Sequence, residues 1–209
     1  MKVFVIESPS PNDLLDGRNE ADSIVNISKM FGHKAASFFV KNKNELDSVM
    51  KYITVVDASE TDLYCYHFSC HGNDSGIAFG PDLLNWVNFA KTILPILKNK
   101  SLKDKSIIII SACGANEQKL TRKISKLDDE VKEYISPPSY IFVYDENEVP
   151  WSDALLSWTI LYHQLGKVKK IERSDMQELL EKMKKVEFGK LIYFRWDEDK
   201  KKYLRFRPK

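Results

Sequence analysis

At 209 residues, 43% apolar and 30% charged, the chain has the makeup of a globular protein able to bury a sheet on both faces. The net charge is +2, with 32 basic against 30 acidic residues, which argues against a dedicated nucleic-acid binder. No apolar stretch approaches the roughly 20 residues of a membrane span, and the first apolar run is too short for a signal peptide.

Lys2–Ile6 alternates into an apolar run and gives a first strand, which Ser8-Pro9-Ser10-Pro11 ends as a loop. Asn19–Phe31 carries Ile24, Val25, Ser28 and Phe31 at helical spacing, and Gly32 stops it. Ala35–Val40 is a second strand, Asn44–Ile53 a helix and Asp62–Ser69 a third strand. Trp86–Leu97 reads as a helix interrupted near Pro95, and Ser106–Ser111 as strand four. Glu117–Pro138 is charge-rich and weakly apolar, and reads as surface helices with a loop that can act as a lid or a regulatory segment. Ser139–Tyr144 is strand five, Ser152–Leu165 a helix closed by Gly166, and Asp175–Val186 a last helix. Leu191–Trp196 and Lys202–Phe206 form a terminal hairpin. Basic runs at 167–170 and 200–209 read as solvated faces.

Strands alternating with helices predict an α/β fold with a mostly parallel sheet, and the unbroken Ile107–Ile110 run suits its doubly covered centre. No repeat or linker divides the chain, so one domain over 1–209 is expected. In such sheets ligands bind outside the carboxyl ends of the strands. Two apolar runs end there in reactive side chains followed by glycine: Tyr64 to Cys70 runs into His71-Gly72, and Ile107 to Ala112 into Cys113-Gly114. A thiol beside an imidazole is a nucleophile with its base. The backbone N–H groups of Gly72 and Cys113 are the natural donors to a developing oxyanion.

Blander readings stand beside this one. A cysteine at a strand end is often a small buried hydrophobe, and a single histidine there is often structural. Cys65, His67, Cys70 and His71 are also potential zinc ligands, but strand alternation sends Cys70 to the face opposite 65, 67 and 71. His33 and His163 read as structural. Ser69 and Ser111 lack a G-x-S-x-G elbow, and no phosphate-binding loop is present. Three cysteines make no disulfide framework, so a reducing cytoplasm is expected.

The two blocks resemble those of the caspase-like cysteine proteases, which include caspases, metacaspases, separases and CHAT domains. An apolar run into Ser111-Ala112-Cys113 is most similar to CHAT domains, and Val149–Asp153 through Tyr162–Gly166 also fits their pattern. The resemblance implies a three-layer caspase-like fold with an antiparallel edge hairpin. It implies His71 as general base and acid, Cys113 as nucleophile, and Gly72 and Cys113 N–H groups as the oxyanion hole. The implied reaction is peptide-bond hydrolysis through an acyl-enzyme, with no cofactor. The Gln-Ala-Cys pattern of caspases is absent and neither block carries an arginine, so cleavage after aspartate is not implied. Asp74, Asp145 and Glu146 sit near predicted strand ends and would favour a basic substrate residue; the loop Ile77-Ala78-Phe79 would favour an aliphatic one. The resemblance further implies a protein substrate, such as a gasdermin-like pore former in a bacterial defence or cell-death system, and an activating partner. The alternative is an inactive regulatory or interaction module on the same fold.

Overall fold

The strongest apolar runs meet at the centre of a seven-stranded sheet in the computed structural model, which describes residues 1–55, 63–116, 119–168, 171–185 and 190–208. Its first half comprises β1 (Lys2–Ser8), α1 (Pro11–Leu15), α2 (Ala21–Met30), β2 (Lys34–Phe39), α3 (Lys43–Val55) and β3 (Tyr64–Cys70). Three short strands follow, β4 (Gly72–Asn73), β5 (Gly76–Phe79) and β6 (Asp82–Asn85), then α4 (Trp86–Thr92), α5 (Leu94–Lys98) and β7 (Ser106–Ser111). The second half holds α6 (Lys119–Ile124), α7 (Leu127–Val131), β8 (Tyr140–Tyr144), α8 (Trp151–Leu165), α9 (Arg173–Lys184), β9 (Leu191–Asp197) and β10 (Lys202–Phe206). Of the elements read from the sequence, Asp62, Glu117, Gln118 and Val186 lie outside the described residues, as do positions 169, 170 and 209 of the basic runs.

The strand order is β10-β9-β8-β7-β3-β1-β2, with β2, β1, β3, β7 and β8 parallel and the terminal hairpin antiparallel. Alternation splits the sheet into two apolar layers. Ile108 and Ile110 join Tyr66, Phe68, Met50 and Phe89 on one face, while Ile107 and Ile109 join Val3, Val5, Trp158 and Leu161 on the other. All four isoleucines are fully buried, and removing each from water is worth roughly 2 kcal/mol. From β1 the chain goes out to β2 and returns on the far side of β1 as β3. The order therefore reverses at β1, and a crevice opens beyond the carboxyl ends of β1 and its neighbours.

Three local readings change. Pro95 does not merely interrupt one helix: it starts α5 in its first turn, leaving α4 to end at Thr92. Ile77-Ala78-Phe79 is not a free loop but β5, with Ile77 and Phe79 fully buried, so neither is available to a substrate. The segment read as surface helices with a loop that can act as a lid or a regulatory segment is anchored over its described part, 119–138. Leu120, Ile124 and Leu127 recur at helical spacing and are buried in the layer that holds Ile108.

Candidate active site

β3 delivers His71 and β7 delivers Cys113 at the same edge of the sheet. The two strands pair in parallel with Ser69 opposite Ser111, so the chain leaves both at the same level. The segments that follow touch backbone to backbone. A Cβ added at Gly72 would stand 2.7 Å from the Cys113 carbonyl oxygen, and one at Gly114 would stand 2.3 Å from the Asn73 carbonyl carbon. Gly114 also has φ +71°, a conformation that side chains disfavour. Only glycine at both positions lets the two turns close on each other.

His71, Gly72 and Cys113 line one cleft of about 920 Å³. Its lining comes from three segments: 71–75, Cys113 with Gly114, and 147–151. A smaller cavity of about 60 Å³ opens beside Cys113 between Ser111, Tyr144, Trp151 and Ala154. The His71 carbonyl accepts from the Ala78 N–H at 2.8 Å, which makes His71–Ala78 a bonded pair. Bonded and unbonded pairs alternate along antiparallel strands. The adjoining Gly72–Ile77 pair is therefore unbonded, and the Gly72 N–H is turned away from β5.

Asp13 completes the arrangement, and nothing in the sequence reading singled it out. Its Oδ2 lies 2.6 Å from His71 Nε2, with the Asp13 side chain 5% exposed and that of His71 55% exposed. The same oxygen accepts the Ser10 hydroxyl at 2.6 Å and the Ser10 N–H at 2.9 Å in a capping box at the start of α1. Burial opposes the Asp13 charge, but the bonds from Ser10 and His71 outweigh it and hold the carboxyl below its usual range. An ionised carboxylate only accepts, so Nε2 carries the ring proton and Nδ1 is the basic nitrogen.

Of the three cysteines, Cys113 is half-buried whereas Cys65 and Cys70 are buried. Burial pushes Cys65 up to about 12 and Cys70 well above the usual thiol range, which keeps both protonated and unreactive. Cys65 and His67 are buried within the sheet and contact the Tyr162 hydroxyl, while Cys70 faces the opposite layer. Among the described residues no group of three or more metal-ligating side chains converges. His33 is buried, with Nε2 3.1 Å from the Tyr162 carbonyl oxygen, and His163 packs on Phe31.

The acidic residues divide. Asp74 lines the cleft beside His71. Asp145 and Glu146 do not reach the cleft. Asp145 is clamped by Arg205 and by Arg207 Nε at 2.6 Å, and Glu146 lies 3.3 Å from Lys190. Both line a separate cavity against the carboxyl-terminal tail. Arg205 of β10 and Arg207 just beyond it hold Asp145 away from the cleft, which is lined instead by the residues that follow, Asn147 to Trp151. Glu148 of that lining was not foreseen. Glu7 and Glu20 were not foreseen either, and are buried beneath the site.

No family model and no curated protein matches the chain. Among solved structures it is similar to a secreted C11 cysteine protease from Bacteroides thetaiotaomicron, "iotapain", with a TM-score of 0.53 and 9% identity. The match covers 93% of this chain and 65% of that one, so the chain spans about two-thirds of that protease's length. The shared feature is the fold: a mostly parallel caspase-like sheet with helices on both faces.

Proposed function

We propose that the chain is a cysteine endopeptidase of the caspase-like type, with Cys113 as nucleophile, His71 as general base and acid, and Asp13 holding the imidazole. The observation that carries this reading is the 2.6 Å Asp13–His71 bond at the sheet edge where the half-buried Cys113 shares a cleft with His71. His71 Nδ1 takes the thiol proton, and the sulfur attacks the carbonyl carbon of the scissile bond. The Gly72 and Cys113 N–H groups hold the oxyanion, a contribution of roughly 3 kcal/mol per donor in comparable sites. His71 then protonates the leaving amine, and water, activated by the same imidazole, releases the acyl group from sulfur. No step calls on a cofactor.

The free thiols suit a reducing compartment such as the cytoplasm, and no helix among the described residues is long and apolar enough to cross a membrane. A cleft of about 920 Å³ lined by three separate chain segments supports a protein substrate. The closer affinity to CHAT domains, a gasdermin-like pore former as substrate and an activating partner all rest on the Ser-Ala-Cys and His-Gly likeness. A proteome-derived peptide library tests the reading. Wild-type protein should generate new amino termini, and Cys113→Ala and His71→Ala should each remove them by several orders of magnitude. Wild-type turnover by Cys113→Ala would dismiss it, and silence from the wild type with every probe would favour an inactive module.

A further inference from the structure

Beneath the cleft, three neighbouring strands carry a polar row through an otherwise apolar sheet. Glu7 of β1 pairs in register with Ser69 of β3, and Ser69 with Ser111 of β7. Register neighbours point to the same face, so all three side chains lie under the start of α2. There Glu20, the residue preceding α2, spans the row. Its Oε2 accepts the Ser69 hydroxyl and its Oε1 the Ser111 hydroxyl at 3.2 Å. Glu7 secures this first turn by accepting the N–H groups of Glu20 at 2.6 Å and Ala21 at 3.2 Å. Trp158 Nε1 completes the bonds to Ser111 at 2.8 Å.

Glu20 is 1% exposed, and His67 Nε2 lies 3.6 Å from its Oε2. Burying a carboxylate costs several kcal/mol, and an apolar residue of similar volume is often as stable or more so. The location suggests what the acid provides. Ser69 and Ser111 each stand two residues before a reacting side chain, so one carboxylate ties together the strand ends from which His71 and Cys113 emerge.

We propose that Glu20 is a positioning residue: it sets the approach of the His71 imidazole to the Cys113 thiol by bridging β3 and β7. This rests on the peptidase reading. The test uses the full chain carrying Glu20→Gln, whose amide can accept from one serine but presents a donor to the other. Ser69→Ala and Ser111→Ala remove one arm each and decide the matter if Glu20→Gln does not fold. The readout is the rate of Cys113 alkylation by iodoacetamide across pH, mapped by mass spectrometry, which needs no substrate; kcat and KM on a cleaved peptide accompany it. Glu20→Gln should slow alkylation at neutral pH about 10- to 100-fold, the penalty of a misplacement near 1 Å, and should lower kcat while KM stays within about twofold. Each serine variant should show a smaller loss in the same direction. Wild-type alkylation by the folded variants would overturn the proposal. So would a loss confined to KM, or a changed preference for the side chain preceding the cleaved bond, since either would put Glu20 on the substrate. Wild-type alkylation that ignores His71→Ala would refute the peptidase reading itself and the positioning role with it.

Discussion

Replacing Asp13 with asparagine removes a charge and keeps the volume. The bond it weakens is 2.6 Å long and runs from a buried carboxylate to a ring that is 55% exposed. Hydrogen bonds to charged groups are worth roughly 1.5–3 kcal/mol, and solvent around His71 places this one near the lower end. At 1.36 kcal/mol per decade, that predicts about a tenfold loss in kcat/KM. A second effect adds to it. An asparagine amide can donate to Nε2, which would move the ring proton to Nδ1 and leave no basic nitrogen there; the combined loss exceeds tenfold and reaches about 10,000-fold if that tautomer dominates. Asp13→Glu should recover part of it. Stability gives an independent check. The Asp13 carboxyl lies below its ordinary 3.8 in the folded chain, so its stabilising contribution is present above that value and is lost as pH falls through the folded value. Urea melts taken as pH falls below 3.8 should therefore show a steeper loss for wild type than for Asp13→Asn. Peptide turnover by Asp13→Asn within twofold of wild type, with His71→Ala inactive, would refute the reasoning.

Gly114→Ala forces a side chain into a φ of +71° and into the Asn73 backbone 2.3 Å away; it should cost about 1–2 kcal/mol or more, lower Tm by several degrees, and slow turnover by separating the two turns. Glu7 is pushed up to about 7 by burial, so the folded chain holds its proton where the unfolded chain releases it. Stability from this group is full below its ordinary 4.5 and declines as pH rises to about 7; Glu7→Gln should flatten that decline, by roughly 3 kcal/mol at most, in denaturation midpoints. Asp145→Asn should loosen the terminal hairpin by about 1 kcal/mol and leave peptide cleavage within twofold, because its carboxylate is occupied by Arg205 and Arg207; a selective loss of cleavage at basic residues would return Asp145 to the site.

What the sequence made legible was whatever local pattern encodes. Ile107–Ile110 cannot be amphipathic, so it announced a strand covered on both faces, and glycine after His71 and Cys113 announced sharp exits at the strand ends. Asp13 was hidden by the prolines around it. Ser8-Pro9-Ser10-Pro11 reads as a loop, yet Ser10 followed three residues later by Asp13, with proline at the first helical position, is a helix-start signal. That cap is also what aims the carboxylate. The strands β4 to β6 run two to four residues each, too short for alternation to register. Asp145 was placed at the correct sheet edge but could not be assigned a direction, because the arginines that capture it lie some 60 residues further along the chain.

The common thread is register. Asp13, His71 and Cys113 follow β1, β3 and β7, which are adjacent in the sheet although long stretches of chain separate them. Successive side chains on a strand alternate faces, so a one-residue slip of β3 against β7 would turn Ser69 from Glu20 and His71 from the cleft at one stroke. The apolar layers prevent that slip: Tyr64, Tyr66 and Phe68 belong to one face and Cys65, His67 and Ser69 to the other, and exchanging them would set His67 and Ser69 against the layer that holds Ile108 and Ile110. The chemistry at the rim can thus be carried by a few polar residues on short turns, because the apolar strands below them have already settled where each turn begins.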